Sequence, residues 1–343
     1  MWPDELERAR LHVVTGKGGT GKTTVAAALA LALATGGRRT LLVEIEGRQG
    51  IAQLFDTSPL PYEEQRIAVA PGGGEVRALA VDAEAALLDY LEMFYNLGMA
   101  GRTLRRMGAI EFATTLAPGL RDVLLTGKVK ECVTRTGKDG RHVYDAVVLD
   151  APPTGRVVTF LDVTKAMADL SKSGPIYRQS EGVVRLLHSA DTAVHLVTTL
   201  EDLPVTEAME TVSELSEAHL RAGAVIVNRA DERRLPTRSV DSAADGRVDR
   251  MRVRSGLATA GIELTDAQLD GLLAETVEHA LRVRAEAAAL ARLDSEPTEP
   301  LPRLTLPEVI DGIELGAIYE LAERLTEQGV RAHAVPRSAR ATH

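Results

Sequence analysis

The stretch TGKGGTGKTT, residues 15–24, constrains the fold of this chain more than any other feature of its sequence. It follows an apolar run that predicts a buried strand, and it leads into an alanine- and leucine-rich run that predicts a helix. The spacing G-x-x-x-x-G-K-[ST] extends from Gly16 through Gly21 to Lys22 and Thr23, as in a phosphate-binding loop between a strand and a helix. The sequence therefore predicts an α/β fold with a phosphate-binding site.

Each residue type in this loop suits a phosphate ligand. Glycines let the backbone curl so that successive N–H groups point at phosphate oxygens. Lys22 is placed to meet the β- and γ-phosphates, the Thr23 hydroxyl to ligate Mg²⁺, and Thr24 to meet the α-phosphate. The expected ligands are therefore a nucleoside triphosphate and Mg²⁺. The expected nucleotide contacts in the loop are Gly16, Gly18, Gly19, Thr20, Gly21, Lys22, Thr23 and Thr24.

Buried strands are expected to alternate with helices along the chain. Nearly unbroken apolar runs, typical of strands covered on both faces, occur at 11–15, 40–45, 76–81, 144–150, 193–198 and 224–228. Helical patterns occur at 22–35, 84–98, 119–133, 205–221, 265–293 and 314–328. Aromatic residues make up only 3% of the chain, so its core must be aliphatic. We expect an α/β fold with a doubly wound, mainly parallel sheet of the P-loop NTPase type.

The 343 residues are expected to form a single P-loop domain with an inserted helical subdomain. The stretches 84–135 and 160–190 are long for simple crossovers and are assigned to that insertion. The polar residues 231–258 predict a flexible surface loop, and residues 330–343 a frayed tail.

Lys17 is a second lysine in a loop that needs only one. With it, the loop reads K-G-G-x-G-K-[ST] and resembles the signature of the deviant Walker A ATPases. The resemblance implies that Lys17 reaches across a dimer interface and stabilises charge on the partner's nucleotide, as an arginine finger does elsewhere. The alternative interpretation is a solvated loop cation without a catalytic role.

A second motif, DAVVLDAPPTG at residues 145–155, indicates the branch of that group. It resembles the D-T-A-P-T-G switch of the arsenite-pump and tail-anchored-protein-targeting ATPase family, and the chain is identified as a member of a cysteine-poor bacterial branch. The resemblance covers roughly residues 11–230 and the C-terminal stretch LPRLTLPEVIDGI. It implies that Asp150 holds a water on Mg²⁺, that Gly155 hinges toward the γ-phosphate, and that Asn228 contacts adenine.

The chain departs from that family at residues 44–49, where EIEGRQ stands in place of S-T-D-P-A-H. Glu46 replaces the aspartate that aligns the attacking water. Its additional methylene moves the carboxylate by about an ångström, an error that costs up to ~100-fold in rate. We expect Glu46 to act as a catalytic residue that orients the water slowly. The alternative is a loop carboxylate without a role.

Composition narrows the classes of partner. The net charge of −9 disfavours nucleic acid, so no nucleic-acid partner is expected. Cys132 is the single cysteine, which excludes a thiolate metalloid site or a C-x-x-C zinc clasp within one chain. The opening MWPDELERAR is acidic and lacks the apolar segment of a signal peptide, so a cytoplasmic location is expected.

Several functions remain open at this point. The first is a dimeric Mg²⁺-ATP-hydrolysing switch that holds and releases a protein client or membrane partner through its helical insertion. The second is a weakly active nucleotide-binding subunit in a heterodimer with a related ATPase, suggested by Glu46. The third is a positioning ATPase of the ParA or MinD kind, which needs a basic DNA-binding face or a membrane helix. GTP is a separate alternative to ATP, because NRAD at 228–231 imitates the guanine-binding N-K-x-D.

Overall fold

One central sheet organises the chain in this computed structural model. The structure describes residues 2–45, 47, 49–95, 118–162, 175–231, 235–295, 301–310 and 312–333. The strands of this part of the chain are β1 (Leu11–Gly16), β2 (Arg39–Ile45), β3 (Gln65–Ala70), β4 (Gly74–Val81), β5 (Ala146–Asp150), β6 (Thr192–Thr198), β7 (Ala222–Ala230) and β8 (Arg303–Pro307). Their spatial order is β3-β4-β2-β5-β1-β6-β7-β8, and all pair in parallel except β3, which runs antiparallel to β4. The predicted fold class is confirmed.

Helices cover both faces of this sheet. Those in the described residues are α1 (Asp4–Arg8), α2 (Lys22–Ala34), α3 (Gly50–Leu54), α4 (Ala83–Tyr95), α5 (Pro118–Thr134), α6 (Thr154–Leu161), α7 (Pro175–Leu187), α8 (Asp202–Glu217), α9 (Thr237–Ala244), α10 (Arg250–Thr259), α11 (Asp266–Ser295) and α12 (Leu315–Glu327). α2 is buried continuously from Val25 to Ala34, because its alternating alanines and leucines let the sheet and α12 approach it closely.

Alternate residues of each strand enter two different cores, as the period of two in a strand requires. Leu42 and Val148 face α2 in one core, whereas Leu41 and Val147 face the opposite side, where α5 packs. Cys132 of α5 is fully buried in this second core. Burial raises the pKa of the Cys132 thiol to about 12. The single cysteine is therefore a neutral core residue rather than a reactive thiolate.

The predicted loop over 231–258 needs correction, because α9 and α10 occupy most of it. The polarity of this stretch was mistaken for a loop signal. Val240 and Ala243 lie three residues apart on one face of α9 and pack against Ala280 of α11. The Asp249 side chain accepts a hydrogen bond from the Arg252 amide at 3.0 Å and thereby caps the start of α10.

Two strands were missed in the sequence, and both lie at edges of the sheet. Three of the six residues of β3 are exposed, so this strand is less buried than the inner strands. β8 alternates exposed and buried residues and ends at Pro307. Proline is tolerated in an edge strand because one row of backbone amides needs no partner there.

The structure gives partial information on the remaining organisation. Within the stretches assigned to an inserted subdomain, residues 96–117 and 163–174 lie outside the described residues. That the two stretches form one subdomain stays a prediction. The expected tail begins as packed chain: Val330 is buried, and Trp2 Nε1 donates to the Arg331 carbonyl at 3.1 Å. Among the described helices, none is long and apolar enough to cross a bilayer.

Candidate nucleotide-binding site

The glycine-rich loop, residues 16–21, leaves the carboxyl end of β1, which lies between β5 and β6 at the centre of the sheet. The strand order reverses at β1, and ligands of open α/β sheets bind in the crevice at such a point. α2 begins directly after the loop, so the unpaired N–H groups of its first turn face the same crevice. The fold thus places the loop where an anion is best bound.

The loop needs its glycines even without a ligand. Gly19 and Gly21 have φ angles of 89° and 84°, a region that other residues rarely adopt. A Cβ added to Gly21 would lie 2.4 Å from Asn228 Nδ2, and one added to Gly16 would lie 2.1 Å from the Val197 carbonyl oxygen. Residues larger than glycine would therefore be strained at Gly16, Gly19 and Gly21, as the sequence motif predicted.

Lys22 lies inside the loop that it was predicted to serve. It is the first residue of α2 and is only 8% exposed. Its Nζ donates to the Lys17 carbonyl at 3.1 Å. Thr20, which is also buried, donates its hydroxyl to the same carbonyl at 2.9 Å. The ammonium of Lys22 is therefore held among the backbone groups that would surround a phosphate.

The two predicted metal-binding residues come together in the structure. Thr23 Oγ1 donates to Asp150 Oδ2 at 2.7 Å, although the residues are 127 positions apart in the chain. Asp150 is the last residue of β5 and is 8% exposed. A hydroxyl beside a carboxylate provides the hard oxygen ligands that Mg²⁺ prefers. This donor set fits a magnesium ion at the loop.

A third oxygen-bearing residue at this position was missed in the sequence. Glu44 lies next to the end of β2, in register with Asp150, and is 1% exposed. Its Oε1 accepts a hydrogen bond from the Gly50 amide at 2.7 Å. The available signal was a charged residue near the end of the apolar run TLLVEI, since strands buried on both faces rarely carry a carboxylate without a purpose.

The side chain of Lys17 is directed toward α8. Its Nζ forms an ion pair with Glu207 Oε1, and its side chain is 27% exposed. The other oxygen of Glu207 accepts a hydrogen bond from Thr154 Oγ1 at 3.2 Å. Thr154 is the first residue of α6, directly after the DAPP turn. Glu207 thus connects the loop lysine to the second motif, a link that the sequence did not indicate.

Asn228, the predicted adenine contact, is buried at the end of β7 beside the loop. Its Nδ2 donates to the Thr20 carbonyl at 2.8 Å, so it supports the loop directly. Asp231, considered as a guanine-binding residue, instead contacts His279 Nδ1 at 3.1 Å on α11. A contact of Asn228 with adenine stays a prediction.

The remaining predicted residues are less constrained. Gly18 is exposed at the tip of the loop, and Thr24 is partly exposed in the first turn of α2. Gly155 is exposed in α6. Glu46, the expected water-orienting residue, lies outside the described residues. The roles assigned to these positions stay predictions.

A different buried polar cluster lies nearer the start of β1. The Ala224 amide donates to His195 Nδ1 at 3.0 Å, so the proton of that ring is on Nε2. This proton is donated to His12 Nδ1 at 3.0 Å, and His12 Nε2 donates to the Ala9 carbonyl at 3.1 Å. Trp2 stacks on both rings. Burial lowers the pKa of His12 to about 4 and the pKa of His195 well below 6.5, so both rings are neutral.

A central parallel sheet with a strand–glycine loop–helix unit at its reversal point, a buried lysine and a Thr–Asp pair define a P-loop nucleoside triphosphatase. The comparisons specify the family. A family model described as "Anion-transporting ATPase" matches residues 9–187, about half of the chain. The chain belongs to this family, and its reaction is the hydrolysis of ATP.

Relatives of known name agree with this assignment. ATPase BagA of Mycobacterium tuberculosis is 61% identical to this chain over 330 residues, which cover 96% of each protein. The arsenical pump-driving ATPase of Acidiphilium multivorum is 25% identical over 290 residues, covering 77% of this chain and 46% of the relative. ATPase get3 of Schizosaccharomyces japonicus is 27% identical over 179 residues, covering 50% of this chain and 51% of the relative.

Proposed function

We propose that this ATPase is a Mg²⁺-dependent switch that works as a dimer, in which Lys17 of each copy completes the nucleotide site of the other. The observation that supports this most is the contrast between the two lysines of one loop. Lys22 is buried within its own loop, whereas Lys17 is 27% exposed and directed toward α8. A partly exposed lysine can reach a ligand held by another chain once its ammonium leaves Glu207.

The reaction assigns a task to each residue of the site. Lys22 and the loop amides bind the β- and γ-phosphates, and Asn228 faces the base. Thr23 and Asp150 would hold Mg²⁺, which neutralises phosphate charge when bound. Glu46 orients a water that attacks the γ-phosphorus while the bond to the departing ADP oxygen breaks. Lys17 of the second copy stabilises the charge that develops on the transferred group.

Dimer formation requires Lys17 to leave Glu207 and to bind the triphosphate of the second copy. In the single chain its ammonium is held by Glu207, which is also bonded to Thr154. When Lys17 turns to the triphosphate of the second copy, Glu207 and the start of α6 lose this restraint. α6 leads into the stretch 160–190, so the change reaches the helices proposed to hold a protein client or membrane partner. The proposed compartment is the cytoplasm.

The test compares turnover, nucleotide affinity and solution mass for wild type and Lys17→Ala. Turnover of Lys17→Ala should fall about 1,000-fold, the scale of an arginine-finger deletion. Its affinity for ATP should change little, because Lys22 and the loop amides remain. Wild type should form a dimer with a slowly hydrolysed ATP analogue and revert toward monomer with ADP.

The control is Lys138→Ala, which removes the same charge from an exposed position. It should behave as wild type in all three measurements. Equal turnover of Lys17→Ala and wild type would exclude the proposed action across the dimer. A parallel titration with GTP determines the base preference, and we expect ATP to bind more tightly.

Glu46 supports a second candidate, a weakly active subunit of a heterodimer with a related ATPase. In that case the purified chain would bind ATP but hydrolyse it slowly, and its own Lys17 would serve the partner's site. Addition of the related subunit should then raise turnover, and Lys17→Ala in this chain should abolish the increase. Turnover by this chain alone at rates ordinary for a P-loop ATPase would exclude this candidate.

A further inference from the structure

We propose that Glu44 is a second carboxylate of the magnesium site, accepting a hydrogen bond from a water on the ion. The inference rests on the proposed function, since it assigns a further residue to the same site. Neither the phosphate-loop motif nor the DAPPTG motif includes this position. Its place near the end of a buried strand and its contacts carry the assignment.

The sheet brings Glu44 to the side of Asp150. The two residues are directly in register on the neighbouring parallel strands β2 and β5. Neighbouring strands are about 4.8 Å apart, and residues in register project from the same face. Leu42 and Val148, two residues earlier on each strand, face α2 in the core. Both carboxylates therefore leave the sheet on the side where α2 begins.

The local contacts place Glu44 close to Thr23. Glu44 Oε1 accepts from the Gly50 amide at 2.7 Å. A Cβ added to Gly50 would lie 3.5 Å from this same oxygen and 3.2 Å from Thr23 Cγ2. Gly50, the first residue of α3, is bonded to Glu44 through its amide, and the space beside its Cα is bordered by both Glu44 and Thr23. The Cβ position at Gly50 is 3.5 Å from Glu44 Oε1 and 3.8 Å from Thr23 Oγ1, so the carboxylate and the hydroxyl that would ligate Mg²⁺ border the same space.

Charge explains why a glutamate suits this position. Two neighbouring carboxylates that are 1% and 8% exposed repel each other strongly, and a divalent cation beside them removes that repulsion. Mg²⁺ keeps several waters and uses few protein carboxylates directly. A second carboxylate at the distance of a bound water therefore fits its coordination. The bond to the Gly50 amide alone needs an oxygen but no charge.

Glu44→Gln separates the structural role of Glu44, its hydrogen bond from the Gly50 amide, from its proposed role beside Mg²⁺. A glutamine can still accept the hydrogen bond but carries no charge. The measurement is the Mn²⁺ affinity of the ADP complex, followed by the loss of the free Mn²⁺ signal in electron paramagnetic resonance. We expect about a 10-fold weaker metal affinity, typical of a lost partner of a metal-bound group. Nucleotide affinity in EDTA and the melting temperature of the metal-free protein should not fall below wild-type values, because the substitution removes a repelling charge.

Two further variants complete the test. Glu214→Gln makes the same change on an exposed position of α8 and should bind Mn²⁺ as wild type does. Glu44→Asp keeps the charge on a shorter side chain and should restore part of the metal affinity. If Glu44→Gln and wild type bind Mn²⁺ equally, Glu44 only anchors α3 and the inference is wrong. If metal does not strengthen nucleotide binding by wild type, the proposed function itself fails.

Discussion

Buried polar side chains form one cluster near the start of β1 and another near its end, and the two clusters differ in their chemistry. Near its start, the rings of His12 and His195 are neutral and pass one chain of hydrogen bonds from the Ala224 amide to the Ala9 carbonyl. We call this the histidine end. At its other end, Lys22 and Asp150 are ionisable groups gathered around a curled loop. We call this the loop end.

The difference shows how a fold separates stability from binding. At the histidine end the protein supplies the partners of both rings, so the cluster needs no ligand and contributes to packing. At the loop end, backbone N–H groups and a cation are concentrated where the sheet opens, an arrangement suited to a polyanion. Substitutions at the loop end should therefore change nucleotide binding, and substitutions at the histidine end should change stability.

Lys22→Ala should give the largest effect on ATP binding, and this effect should be confined to the loop end. Removal of a charge-assisted bond to phosphate should weaken ATP binding by about 100-fold or more. The melting temperature without nucleotide should change less than the ATP affinity, because Nζ meets a neutral carbonyl at 3.1 Å in the free protein and charged phosphate oxygens in the complex. Isothermal titration calorimetry and thermal unfolding measure the two quantities.

Lys17→Ala is the matched comparison for Lys22→Ala, since both variants remove one lysine from the same loop. It should retain ATP affinity and lose turnover. If both variants lose ATP affinity equally, the proposal that Lys22 binds the nucleotide of its own chain and Lys17 acts on that of the partner is wrong.

Gly16→Ala should lower stability although Gly16 lies at the loop end. It is therefore an exception to the rule that loop-end substitutions change binding and histidine-end substitutions change stability. Its Cβ would meet the Val197 carbonyl oxygen at 2.1 Å, a backbone clash that the sheet must absorb. Such overpacking costs about 1–3 kcal/mol in free energy of unfolding. Chemical denaturation followed by circular dichroism measures it.

Gly18→Ala provides the control for this effect. A Cβ at Gly18 has no described atom within 4 Å, and its φ lies outside the left-handed region. The free energy of unfolding of Gly18→Ala should match that of wild type. Its nucleotide affinity measures whether the added methyl group crowds the bound nucleotide. Equal destabilisation by both substitutions would mean that the clash at Gly16 is relieved elsewhere.

Lower pH should act on the histidine end. Burial lowers the pKa of His12 to about 4 and that of His195 well below 6.5, whereas histidines in the unfolded chain titrate near 6.5. As pH falls below about 6.5, His12 and His195 bind protons in the unfolded state but stay neutral in the folded state, so stability decreases. The loss should be about 1 kcal/mol for each ring at pH 5.5, and stability should be complete above pH 7.

Denaturation curves between pH 7.5 and 5 measure this slope, with His12→Gln as the test variant. Removal of one titrating ring should flatten the pH dependence, whatever the variant's absolute stability. His188→Gln, at an exposed position, should retain the wild-type slope. A wild-type slope in His12→Gln would assign the acid sensitivity to other groups.

The sequence predicted the loop end better than the histidine end, for a physical reason. The loop depends on local spacing, so Gly16, Lys22 and Thr23 were recognised from adjacent residues. Asp150 was recognised because a second motif ends a strand with it. His12 and His195 lie 183 positions apart and follow no spacing rule, so only the register of β1 and β6 brings them together.

The same distinction applies to the fold. Inner strands carry continuous apolar runs and were predicted, whereas the edge strands β3 and β8 carry few buried residues and were missed. α9 was missed because its polar sequence buries only Val240 and Ala243 beside α11, and α10 was missed because it buries no residue. Glu207 could not be predicted, since its partner Lys17 is 190 positions away and α8 gives no local sign of a role for that carboxylate.

Glu207→Gln should give the smallest effect at the loop end, and its sign is informative. A glutamine holds the Lys17 ammonium less tightly, so Lys17 turns more readily to a partner's nucleotide. The ion pair is partly exposed and is therefore worth about 1 kcal/mol or less, which limits the gain in turnover and dimer affinity to about 2- to 5-fold. In a Lys17→Ala background the same substitution should have no effect on turnover. Glu210→Gln, one turn further along α8 and exposed, serves as the control. A decrease in turnover in Glu207→Gln would instead mean that this carboxylate guides Lys17 into the paired site.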